Sequence, residues 1–337
     1  MAKAFISGCA ETSLSANERS FFRTENPWGL ILFARNCSEP QQIEDLVASF
    51  RDCVGRTDAP VLIDQEGGRV QRLTAPQWPI YPSGARIADA YQANPTDGLA
   101  LARNIARLIA DDLYSLGINV DCLPILDVPQ PNVHKIIGDR AYGTTPEMIA
   151  QIGRAMAEGL MERGVLPVIK HIPGHGRAVV DSHLDLPVVS ASQDELRQSD
   201  FRPFVDLADM PLGMTAHIVY SAFDDENAAT HSARVVEEVI RGEIGFDGLL
   251  MTDDLSMKAL GGTYAERSRR ALDAGCDVVL HCNGVFDEMV AVAAAACELS
   301  GYAAQRADRA TDCLSVPQDY DRQTALAGLD DLMSKSA

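Results

Sequence analysis

Leu166-Pro167-Val168-Ile169-Lys170-His171-Ile172-Pro173-Gly174-His175-Gly176 is the stretch whose reading decides the fold. Its first part, 166–170, is apolar without period-2 alternation, as expected of a parallel strand covered on one side by helices. Amphipathic stretches flank it at 146–163 and 193–208. Each has a start signal: Thr145 before Pro146 at the first helical position, and Ser192 with Glu195 as a capping box. Outward along the chain the unit recurs. Apolar runs lie at 4–10, 29–34, 60–64, 118–126, 212–218, 248–252 and 276–282, with helix-like segments near 40–54, 98–116, 233–242, 264–274 and 286–299. Eight strands alternating with helices predict a single-domain α/β fold, a closed (β/α)8 TIM-type barrel. A doubly wound open sheet is the other architecture with this order, but no G-x-G-x-x-G follows the first strand. The barrel is assigned to residues 1–302, and 303–337 reads as a polar, helical tail packed across one end.

Composition is that of a globular chain: 337 residues, 46% hydrophobic and 23% charged. The net charge of −19 disfavours nucleic-acid and anionic-membrane partners, which would repel it. No apolar stretch approaches the ~20 residues that span a bilayer. Ile6-Ser7-Gly8-Cys9 has the look of a lipoprotein cleavage box, but the five residues before it are fewer than the roughly 7–15 apolar ones of a secretory core. Residues 3–9 are read instead as the first strand. Eight scattered cysteines, with no C-x-x-C pair, predict reduced thiols and a cytoplasmic location.

In barrels of this kind the chemistry sits beyond the C-terminal strand ends. There the sequence gathers Asp64-Gln65-Glu66-Gly67-Gly68-Arg69-Val70-Gln71-Arg72, Gly138-Asp139-Arg140, Lys170-His171, Asp181-Ser182-His183, His217 and Thr252-Asp253-Asp254. Packing alone does not ask for this, because such groups are costly to bury unpaired. Asp253 is placed to attack a carbon that develops positive charge, the step of a retaining glycosidase. His183 is a candidate proton donor, with Asp181 two residues earlier to hold its ring. Asp64, Arg72, Arg140 and Lys170 can hydrogen-bond sugar hydroxyls.

Plainer roles exist for several of these residues. Asp254 reads as a structural partner and His175 as a loop-shaping residue. His217 fits a hydrogen-bonded core position as well as a site position, and His134, His231 and His281 read as structural or surface residues. The glycines at 67–68 and 174–176 serve tight turns equally well. Rival chemistries also use the cluster. A metal-dependent hydrolase would take His171, His175, Asp181 and His183 as ligands, although the H-x-H pair common on strand one of such barrels is missing. A Schiff-base lyase would use Lys170. A non-catalytic sugar-binding barrel would not need a carboxylate together with an Asp/His pair.

Taken together and in order, Asp64–Arg72, Lys170–Gly176, Asp181-Ser182-His183 and Thr252-Asp253-Asp254-Leu255-Ser256-Met257 resemble the glycoside hydrolase family 3 β-N-acetylglucosaminidases, in particular the single-domain NagZ type of peptidoglycan recycling. The resemblance runs from strand one to strand eight. It implies a retaining exo-enzyme that removes terminal β-linked N-acetylglucosamine, notably from anhydro-muropeptides. By position, Asp253 resembles the nucleophile, His183 the acid/base and Asp181 its dyad partner. Asp64, Arg72, Arg140, Lys170 and His171 resemble the residues that grip the terminal sugar. No metal or cofactor is implied, and the partner is a small carbohydrate. Ile172 departs from the family's usual phenylalanine and Ala141-Tyr142 from its Ser-Phe. A histidine acid/base repels an anionic acceptor less than a carboxylate does, which leaves a phosphorylase as the alternative to a hydrolase.

Overall fold

A strand apolar on both faces needs a cover on each, and closing the sheet into a ring supplies the inner one. The computed structural model, which describes residues 1–130, 137–178 and 185–334, shows this closure. The barrel strands are β1 (Lys3–Ser7), β2 (Pro27–Leu32), β3 (Val61–Ile63), β4 (Val120–Asp121), β5 (Leu166–Ile172), β6 (Leu212–Thr215), β7 (Leu249–Asp254) and β8 (Val278–His281), and Val188–Val189 pairs with Val219–Tyr220 outside the barrel. All neighbours pair in parallel, and β8 returns to β1 with Phe5 opposite Val279. The fold is a (β/α)8 barrel. An open doubly wound sheet is excluded by that last pairing.

Side chains alternate across each strand. Ile6, Leu62, Val168, Met214, Met251 and Leu280 fill the barrel interior. Phe5, Leu30, Ile63, Ile169, Leu250 and Val279 point outward into the layer shared with the helices. Each such side chain, fully buried, contributes about 1.5–3 kcal/mol. At the barrel's other end the helix Gly301–Asp312 lays Ala307 and Ala310 against the interior cluster. Arg306 ties this helix to Asp277 (3.1 Å) and Asp247 (2.8 Å). The last helix, Arg322–Ser334, buries Leu329 and Leu332 and packs on Pro95–Ser115.

Some elements differ from the sequence reading. The expected strand 118–126 is regular only at Val120–Asp121, although Leu126 N–H still bonds Lys170 O at 2.7 Å. Pro124 has no N–H for a ladder, yet its carbonyl accepts Lys170 N–H at 3.1 Å, so the chain stays beside strand five with irregular pairing. The segment 193–208 is two helices, Gln193–Gln198 and Arg202–Asp206, the second with Pro203 in its first turn. Segment 233–242 winds as a π-helix over Val235–Glu243. Ala16–Glu25 is a helix that the reading passed over, though Ser15 and Glu18 form a capping box at its start. Gly84–Ala93 is a second. The predicted caps at Thr145 and Ser192 are formed.

Candidate active site

Strand parity aims the site. Leu166 and Val168 point into the barrel, so Lys170 on the same strand points into its mouth; by the same count Leu249 and Met251 are followed by Asp253, and Leu62 by Asp64. Beyond β3 the chain turns at Gly67, whose φ of +92° and lack of a Cβ let it pass within contact of Pro82 O. That turn brings Glu66 and Arg72 back over the same mouth.

The result is a row of alternating charges. Arg72 Nη2 donates to Asp64 Oδ2 at 2.9 Å, and Lys170 Nζ donates to Asp64 Oδ1 at 2.9 Å. Lys170 also meets Glu66 Oε1 at 2.7 Å. Arg140 completes the row with a two-pronged grip on Glu66, Nε to Oε2 at 2.8 Å and Nη2 to Oε1 at 2.7 Å. Burial works against the charges of Asp64, Glu66, Lys170 and Arg140, yet the partners prevail. Asp64 is held well below the usual carboxylate range by Lys170 and Arg72, and Glu66 is lowered by Arg140 and Lys170. Lys170 is held above the ordinary ammonium range by Asp64 and Glu66. A lysine kept charged in this way has no lone pair, so the Schiff-base reading of Lys170 falls away. Arg72 in addition lies over the Phe33 ring, 5.1 Å from its centroid.

Across the mouth, Asp253 Oδ1 accepts the N–H of Asp254 at 2.8 Å. Asp254 is turned to structure. Its Oδ1 accepts from Ser256 N (3.0 Å) and Cys282 N (3.1 Å), and its Oδ2 accepts from the Ser256 hydroxyl. Behind it, His217 Nε2 donates to Asp254 O at 3.1 Å while Nδ1 meets Thr230 Oγ1 at 2.7 Å. Burial lowers the pKa of His217, which is a core residue supporting the strand-seven end. Beside Lys170, His171 Nδ1 lies 2.7 Å from Asp127 Oδ2. The His175 ring stands edge-on to that of His171 with centroids 5.4 Å apart, and burial together with His171 lowers its pKa to about 4.

These groups surround a cavity of about 210 Å³ lined by Asp64, Glu66, Arg72, Arg140, Lys170, His171, Asp253 and Asp254, and Phe33, Met214, Met257 and Cys282 add apolar lining. A larger cavity of about 420 Å³ opens at the opposite end of the barrel around Trp28 and Arg56, away from every strand-end polar residue. The structure thus brings together six of the eight expected site residues. Asp181 and His183, like His134, lie outside the described residues. Among the described residues no three His, Cys, Asp or Glu side chains gather as a metal site. Of the polar groups at the mouth, the sequence reading missed Asp127 entirely and named Glu66 only within the stretch Asp64–Arg72. Both sit just past a strand end, which was the signal available.

Residues 9–313 match the Glycosyl hydrolase family 3 N terminal domain. The chain belongs to this family. It is a glycoside hydrolase of the β-N-acetylhexosaminidase type. Among family 3 relatives, a β-hexosaminidase of Tolumonas auensis is 36% identical over 330 residues, 95% of this chain and 92% of its own. One of Alkalilimnicola ehrlichii is 37% identical over 280 residues, 82% of this chain and 79% of its own. NagZ from Neisseria gonorrhoeae, solved in complex with N-trifluoroacetyl-D-glucosamine, superposes with a TM-score of 0.88 at 29% identity over 98% of both chains. A family 3 β-N-acetylglucosaminidase from Paenibacillus sp. FPU-7 gives 0.81 at 29% identity, covering 99% of this chain and 62% of that longer one.

Proposed function

We propose that this family 3 hydrolase is a retaining exo-β-N-acetylglucosaminidase that removes a terminal β-linked N-acetylglucosamine through a covalent glycosyl-enzyme on Asp253. The observation that carries the reading is the small cavity itself: it has the scale of one sugar ring and sets Asp253 opposite the Asp64–Lys170–Glu66–Arg140 row. That row offers charged donors to hydroxyls, while the carboxylate faces the carbon that becomes oxocarbenium-like. The apolar lining residues Met214, Met257 and Cys282 suit the methyl of an acetamido group. The complex of the Neisseria relative with an N-acylated glucosamine supports the same sugar.

In this mechanism His183 protonates the leaving oxygen and then activates water, with Asp181 holding its ring. Asp64, Arg72, Arg140, Lys170 and His171 hold the sugar. The proposed substrate is an N-acetylglucosamine-anhydro-muropeptide of peptidoglycan recycling, handled in the cytoplasm. Two features agree with that compartment: the cysteines are free thiols, and no helix among the described residues is long and apolar enough to cross a membrane.

The test compares p-nitrophenyl β-N-acetylglucosaminide with the matching β-glucoside, with and without phosphate. Preference for the acetamido sugar and release of free N-acetylglucosamine are expected. Sugar 1-phosphate as the main product would assign a phosphorylase instead.

A further inference from the structure

Asp127 lies one residue past the strand-four reading, wholly buried, and receives three hydrogens. Its Oδ1 accepts the backbone N–H of His171 at 3.1 Å and of His175 at 2.6 Å. Its Oδ2 faces His171 Nδ1 at 2.7 Å. Two backbone N–H groups on one oxygen and a ring nitrogen on the other mark Asp127 as a carboxylate, which only accepts, and its pKa is lowered despite burial. The ring atom it faces must carry the hydrogen. In a neutral imidazole the other nitrogen, Nε2, then holds a lone pair, and this ring lines the sugar cavity.

The consequence lies in the balance of donors and acceptors. Lys170, Arg72 and Arg140 can only donate, and the carboxylates of Asp64 and Glu66, though each keeps lone pairs for a hydroxyl, already accept from them. A sugar hydroxyl held by one of those cations still has its own hydrogen to place, and an unpaired buried hydroxyl is costly. We infer that Asp127 is a positioning residue: it fixes the Nδ1–H tautomer of His171 and so makes Nε2 the acceptor for a hydroxyl of the terminal sugar. This rests on the proposed role of His171 in gripping that sugar. The plainer role for Asp127 is to staple the 171–175 turn through the two backbone bonds.

Asp127→Asn separates the two. The amide oxygen can keep both backbone bonds, while the NH₂ now points at Nδ1 and favours the opposite tautomer, turning Nε2 from acceptor to donor. ¹⁵N NMR of histidine-labelled protein should show His171 protonated at Nδ1 and bare at Nε2 in the wild type, and the reverse in Asp127→Asn. On the p-nitrophenyl substrate kcat/KM should fall about 10- to 100-fold, the scale of one unsatisfied buried hydrogen bond. That loss should vanish on one of the 3-, 4- or 6-deoxy substrates, identifying the accepted hydroxyl.

A wild-type ring protonated at Nε2, or a folded Asp127→Asn within twofold of wild-type activity, would overturn the inference. The wild-type spectrum decides even if the variant does not fold. Titration with N-acetylglucosamine keeps the two levels apart. Unmoved His171 resonances would remove the sugar-gripping role, and the acceptor role inferred from it, while leaving the tautomer set by Asp127 intact.

Discussion

Glu66 Oε1 stands 2.7 Å from Lys170 Nζ with both side chains almost fully buried, and the same carboxylate is clamped by Arg140. The pair couples strand five to the turn after strand three across the barrel mouth. Removing one member of such a pair leaves its partners charged and short of a counter-ion, which costs far more than the pair contributes net.

Glu66→Ala should therefore lower stability by about 3–5 kcal/mol. Glu66→Gln, which keeps an acceptor for Arg140 and Lys170, should lose less stability while still raising KM. Denaturant unfolding and steady-state kinetics on the two variants check this. Equal stability losses would mean that shape rather than charge matters at Glu66.

Asp254→Ala should act mainly through stability. It leaves the N–H groups of Ser256 and Cys282 without their acceptor, at about 1–3 kcal/mol for each such buried group. Thermal unfolding should show the loss, with substantial turnover kept in the fraction that remains folded.

The buried histidines should cost stability in acid. His175 and His231 both have folded pKa values near 4, lowered by burial, with His171 and Arg270 respectively adding to it. The unfolded chain binds their protons from about pH 6.5 downward, so stability falls as pH drops from there to about 4. Each histidine contributes a loss on the order of 3 kcal/mol. Asp200, raised to about 6 by burial, works the other way: its protonation favours the folded form between about pH 6 and 3.8. Asp121 and Asp112, also raised by burial, act with Asp200, while His217, lowered by burial, acts with the two histidines, so the histidine contribution is read by difference. Unfolding midpoints at pH 7, 6, 5 and 4 should decline less steeply, or rise more, in His231→Gln than in the parent chain, and parallel profiles would contradict this burial.

The barrel was legible because closure depends on pattern, and the pattern was plain in runs such as 60–64 and 166–170. Ends and breaks were harder to read. Strand four was drawn to 126, and the aspartate that organises His171 stands at 127. Pro124 was a visible break in that strand, but the backbone bonds to Asp127 are tertiary facts that no local pattern carries. Ser15 with Glu18 was a capping signal of the same kind as Ser192 with Glu195, but it sits before a short helix with only two buried phenylalanines. In the site, the parity of Lys170 and Asp253 could be counted from the sequence. The Glu66–Arg140 clamp could not, since it joins two loops 74 positions apart.

His183→Ala should lose about 10²–10⁴-fold on a substrate with a poor sugar leaving group. On a nitrophenyl glycoside, whose leaving group needs little protonation, glycosylation should suffer far less. Asp181→Ala should follow the same pattern more weakly. Pre-steady-state kinetics on the two substrate types measures the difference. Equal losses on both would make His183 a loop or sugar-holding residue.

The most direct test of the account is to trap the glycosyl-enzyme. Incubation with a 2-acetamido-5-fluoro glycosyl fluoride, followed by intact mass and peptide sequencing, should show one sugar attached to Asp253, and Asp253→Ala should take up none. A label on Asp254, or complete inhibition with no covalent sugar at either residue, would contradict the proposed mechanism.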